Sequence, residues 1–66
     1  MNGKRLGMNV KRIRERRGWT QAALADKADM HRVYLAQIEA GTKIPSIPAL
    51  EKLAKALKVK VGSLLE

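Results

Sequence analysis

Apolar residues recur along the first part of the chain at the spacing of a helix. Leu6, Val10 and Ile13 stand at i, i+4 and i+7, which predicts one buried stripe of a helix from about Met8 to Arg17, with Gly18 as its stop. Lys11, Arg12, Arg14 and Arg16 decorate its other faces. A second segment follows at once: Thr20 is a fitting N-cap for a helix from Gln21 to Ala28 that turns Leu24, Ala25 and Ala28 inward. Trp19, just before that cap, can pack on Leu24 as a hydrophobic staple or serve as a platform on which bases stack.

A third helix, from about Arg32 to Ala40 and closed by Gly41, sets Leu35 and Ile38 toward the core, with Met30 leading in from the turn. Its other side carries Val33, Ala36, Gln37 and Ala40 at i, i+3, i+4 and i+7, a stripe of mostly small residues without charge. After the loop "TKIPS", Ser46 can cap a fourth helix that begins near Pro48 and buries Leu50, Leu53, Ala54 and Leu57 while Lys52, Lys55 and Lys58 face solvent. The tail "VKVGSLLE" reads as a short extended link and a last helical turn around Gly62 to Leu65. The expectation is a compact all-α fold of five helices without strands or repeats, one domain over residues 1–66, in which residues 1–6 form a flexible N-terminal arm.

Sixty-six residues bury only a small core, and outside support for it has few sources. With no cysteine, disulfides and thiolate metal sites are excluded, and His31, the one histidine, cannot assemble a zinc site alone. No cofactor is expected, and dimerisation is the remaining support. The chain is 45% hydrophobic and 30% charged, has no apolar run of bilayer length, and shows no signal-peptide pattern at "MNGKRLGMN", so a cytoplasmic location is expected. A net charge of +8 suits a polyanion, nucleic acid before membrane. Residues 1–43 carry ten Lys/Arg against four Asp/Glu, whereas residues 44–66 carry four against two, so the excess lies mainly N-terminal.

The second and third segments are joined only by "ADMH", and two short helices on a tight turn form a helix-turn-helix, whose second helix enters the major groove of DNA. Groove entry explains the bland stripe. Ala36 and Ala40 let the backbone approach base edges, Val33 can touch a thymine methyl, and Gln37 can pair bidentately with adenine.

In "LGMNVKRIRERRGWTQAALADKADMHRVYLAQIEAG" and "PSIPALEKLAKALKV" the chain resembles the Cro and phage-repressor (XRE-like, lambda-repressor-like) helix-turn-helix family over nearly its whole length. The resemblance implies roles residue by residue. Gln21 matches a position that binds phosphate and buttresses the recognition helix. Arg32, Val33 and Gln37 match positions that meet base edges; His31 and Tyr34 match positions near the phosphates, as do Thr42 and Lys43 in the loop after the third helix. Arg14 and Glu39 match a structural ion pair. The residues alone leave other uses open: Gln21 as a solvated first-turn residue, Tyr34 at the core's edge, His31 as a cap, Arg14 on DNA. Asp29 stands where the family usually has glycine, so a positive φ there would cost about 1 kcal/mol, which Asp tolerates better than most residues.

These features predict sequence-specific binding of double-stranded DNA by a small transcriptional regulator, a repressor, working as a two-fold homodimer on a pseudo-palindromic operator. Val59, Val61, Leu64 and Leu65 form the expected dimer interface, unless they only close the monomer's core. No small-molecule effector is evident. An antitoxin or adaptor on the same fold is the competing reading. An enzyme is disfavoured because no nucleophile, base or carboxylate pair is assembled, and membrane-surface binding because no helix opposes a wide apolar face to a basic one.

Overall fold

Three of the five helices among the described residues begin on a side-chain cap. In the computed structural model, which describes residues 2–66, Asn2 Oδ1 accepts from the Arg5 amide at 3.2 Å and starts α1 (Gly3–Arg16). Thr20 Oγ1 accepts from the Ala23 amide at 3.0 Å and starts α2 (Gln21–Lys27); Ser46 Oγ does the same for Ala49 at 3.3 Å and starts α4 (Ile47–Leu57). Between them lies α3 (Arg32–Ala40), and α5 (Val61–Leu65) ends the chain. No strand occurs among the described residues.

The first helix starts earlier than the apolar spacing suggested. Residues 3–6, expected within a flexible arm, are its first turn, because Asn2 satisfies an end amide and Leu6 is buried in the core. Met1, the first residue of that expected arm, lies outside the described residues.

Positive-φ residues close the turns. Gly18 (φ 73°) follows α1, and Gly41 (φ 80°) ends α3 in a Schellman arrangement, with the Thr42 amide donating to the Gln37 carbonyl at 3.0 Å. Asp29 takes φ 52° in the turn between α2 and α3, and Lys58 takes φ 58° after α4. The second was not anticipated from sequence, since lysine has no preference for that region.

One core joins all five helices: Leu6 and Val10 of α1, Leu24 of α2, Leu35 and Ile38 of α3, Leu53 and Leu57 of α4, and Leu64 of α5. Leu64 therefore corrects the expected dimer interface. It is 0% exposed and fills the monomer's own core, as an apolar side chain on the inner face of a one-turn helix must. Val59 and Val61 pack partly against the same core, and only Leu65, 44% exposed, stands clear of it. The short α5 is held by Asn9, whose side-chain amide donates to the carbonyls of Leu64 (3.0 Å) and Glu66 (2.9 Å).

Gly7 sets the crossing of α1 and α3. A Cβ at this position would lie 2.3 Å from the Ile38 carbonyl oxygen and 2.6 Å from that of Glu39, so only glycine permits this approach. Four residues on from Val10, on the same face of α1, Arg14 comes opposite Glu39.

Candidate nucleic-acid interface

A buried polar cluster joins the first three helices. Arg14 Nε donates to Glu39 Oε2 at 2.7 Å and its Nη2 to Oε1 at 3.0 Å, a bidentate pair with both side chains out of solvent. Arg14 Nη1 donates to the Trp19 carbonyl at 2.7 Å, and Gln21 Nε2 donates to Glu39 Oε1 at 3.0 Å. One carboxylate of α3 is thus tied to the end of α1 and the first residue of α2. The hydrogen bond to Glu39 raises the Arg14 pKa above its ordinary value, against the opposing pull of burial. Among the described residues no buried side-chain nitrogen or oxygen lacks a partner, so the cluster is fully satisfied.

This cluster fixes α3 against α2 and leaves the start of α3 free. His31, Arg32 and Val33 are exposed there, Val33 by 58%, with Gln37 half-buried one turn further along. His31 occupies the N-cap position of α3 but makes no side-chain cap bond, so the capping use weighed for it is not realised. Arg14 is committed to Glu39 and buried, which takes it away from any direct role at the surface.

The loop after α3 is fastened from both sides. Thr42 Oγ1 donates to the Gln37 carbonyl at 3.2 Å, and the Ser46 amide donates to the Tyr34 hydroxyl at 3.2 Å. Tyr34 is half-buried, its ring against the core, and its hydroxyl hydrogen remains available at the loop. Lys43 is exposed. Trp19 packs against the core, with Lys27 Nζ 4.7 Å and Arg17 Cζ 5.6 Å from its ring centroid.

Sequence reasoning missed Lys4. A Cβ on Gly41 would meet Lys4 Cγ at 2.9 Å, so this exposed cation stands beside the loop that carries Thr42 and Lys43. Only the tertiary contact between the start of α1 and the end of α3 brings it there. The Trp19 carbonyl as a partner of Arg14 was missed as well; the legible signal was an arginine on the face of α1 that also carries Gly7 and Val10.

Known proteins are similar to this chain in sequence and fold. The family model described as Helix-turn-helix matches residues 10–64. The immunity repressor protein of Bacillus phage phi105 is 42% identical over 60 residues, which span 91% of this chain and 42% of that protein. Control protein C.BamHI of Bacillus amyloliquefaciens is 39% identical over 61 residues, 91% of this chain and 75% of that protein. The chain thus spans less than half of the phage repressor and most of the control protein. The crystal structure of SinR, the master regulator for biofilm formation, in complex with DNA superposes with a TM-score of 0.88 at 37% identity, covering 92% of this chain and 98% of that one. The N-terminal DNA-binding domain of SinR from Bacillus subtilis gives 0.87 at the same identity, covering 92% and 90%. The family and these relatives are regulators rather than enzymes. With α2 and α3 as its helix-turn-helix, the chain belongs to the Cro/C1-type (XRE-like) helix-turn-helix family.

Proposed function

We propose that this protein binds double-stranded DNA sequence-specifically as a transcriptional regulator, with the exposed face of α3 in the major groove. The observation that carries the reading is the rigid presentation of that face: Arg32, Val33 and Gln37 project from a helix locked by Glu39 to both Arg14 and Gln21. Arg32 and Gln37 supply hydrogen-bonding groups for base edges, and Val33 an apolar contact for a thymine methyl. Ala36 and Ala40 keep the approach close. Phosphates on the flanks meet Lys43, Thr42, Tyr34, His31 and Lys4, and Gln21 contributes from the start of α2. Occupying an operator near a promoter gives repression by exclusion, and the cytoplasm is where such a protein works.

One recognition helix discriminates poorly, since each good bidentate contact is worth about 1–3 kcal/mol. A two-fold dimer reading half-sites about one helical turn apart doubles the contacts. The surface we assign to its interface is Leu65 with Val59 and Val61, which remain partly accessible beside the buried Leu64. SinR, similar over most of this chain, has been crystallised with DNA, which supports the reading of α3.

Amide chemical-shift mapping during titration with duplex DNA tests the orientation. Shifts concentrated at Gln21, His31–Gln37 and Thr42–Lys43 support the proposal; shifts concentrated on α4 would refute it.

A further inference from the structure

Away from the face assigned to DNA, Trp19 before α2, the end of α2 with the turn after it, and the outer side of α4 enclose an open groove of about 540 Å³. Its floor is apolar: the half-buried Trp19 ring and the methyl groups of Ala28 and Ala56. Its walls are cationic. Lys27 lies over the Trp19 ring, and Lys52, Lys55 and Lys58 reach it from α4 and its C-cap. One carboxylate opposes these four: Asp29, 98% exposed, with a 3.9 Å contact to Lys52 that neutralises little. Neither Gln21, Arg32, Gln37 nor Lys43 lines the groove.

We infer that this groove is a docking site for an acidic amphipathic helix of a protein partner, independent of the DNA face. Charge complementarity selects the sign of the occupant: four ammonium groups against one carboxylate leave a local excess of three positive charges. The floor selects its class. A phosphate backbone is convex and polar and gains nothing from a recessed tryptophan and two alanine methyls. A helix with an apolar side chain flanked by glutamates fills the recess and pairs with its rim. Trp19 supplies the large rigid aromatic surface on which such contacts concentrate their energy. The groove also explains the outward Lys52 and Lys55 of α4 and Lys58 at its C-cap, which the DNA reading leaves without a role.

Trp19 is the only tryptophan of the chain, so its fluorescence reports on the groove itself. The probe is a synthetic helical peptide of leucine and glutamate, added to the DNA-free protein at low salt, with a Lys52→Glu/Lys55→Glu double variant in parallel. The expected result is a saturable change in Trp19 emission. In the variant the peptide affinity falls about tenfold or more, while its helical circular dichroism stays close to that of the wild type and its duplex-DNA affinity at matched salt falls by much less. Amide shift mapping on the wild-type protein supplies a second readout that does not depend on the variant's folding, with shifts expected at Lys27, Ala28, Lys55 and Ala56. Equal peptide affinity in a folded variant, or shifts centred on α3, would overturn the inference. So would quenching of Trp19 by duplex DNA that is lost in the variant, since the groove would then hold nucleic acid.

Discussion

Glu39 grips Arg14 through both carboxylate oxygens, at 2.7 and 3.0 Å, from a position 25 residues further along the chain. The pair is buried, and Gln21 completes it from α2, so α1, α2 and α3 share a single polar joint. Removing one partner of a buried pair leaves the other charge uncompensated. Glu39→Ala is expected to destabilise the fold by about 3–5 kcal/mol, much of what a domain of this size possesses. Urea unfolding followed by circular dichroism measures this, and a loss below about 1 kcal/mol would show that the joint contributes little. Replacing both partners, as Arg14→Met with Glu39→Leu, should recover most of the loss, because a packed apolar pair leaves no buried charge.

Lys58 follows α4 at φ 58°, a region where a non-glycine side chain meets its own backbone. Lys58→Gly relieves that conflict, at the cost of a more flexible unfolded chain, and is expected to raise stability by about 0.5–1 kcal/mol. Thermal unfolding reads it as a rise of a few degrees. An unchanged or lowered midpoint would mean that the turn after α4 carries no relievable strain.

Legibility in the sequence followed the range of the forces involved. Thr20, Ser46 and Gly41 act on their own helix ends, and each was readable from residue type and spacing. At Asp29 the residue itself departs from the family's usual glycine, so a positive φ was raised there only by the family resemblance and at a cost; the structure has it, at φ 52°. Features set by tertiary contact were not readable. The start of α1 at Gly3 depends on Leu6 finding a core, and the placing of Asn9 depends on where α5 docks. Leu64 and Leu65 are adjacent apolar residues of one type, and only the docking of a single helical turn decides that the first is core and the second is surface. The pairing of Arg14 with Glu39 was implied by the family resemblance, whereas the bond from Gln21 to the same carboxylate and the close approach at Gly7 showed no local mark.

Arg32 and Lys43 are both exposed cations, yet they are assigned different work. Arg32→Ala is expected to weaken binding and relax the preference at one operator position by about 1–3 kcal/mol. Lys43→Ala is expected to weaken all duplexes alike and lower the salt slope by about one. Anisotropy titrations against single-base operator variants at several salt concentrations separate the two. An unchanged base preference in Arg32→Ala would remove it from the base-reading set.

Leu65 is the most exposed apolar residue of the C-terminal cluster, and a charge placed there need not disturb the core filled by Leu64. Leu65→Asp is expected to retain its helical content and to sediment as a monomer, with DNA affinity reduced by loss of the paired half-site. If the wild-type protein and the folded variant sediment alike, the cluster is not the dimer interface.

Selection of bound duplexes from a random DNA library at about 150 mM salt, where non-specific phosphate contacts are weakened, decides whether α3 reads sequence. The prediction is an enriched pseudo-palindrome with half-sites about ten base pairs apart, centre to centre. Recovery of an unenriched library would contradict sequence reading by Arg32, Val33 and Gln37, and would leave this basic domain with only phosphate affinity or a protein partner to account for its surface.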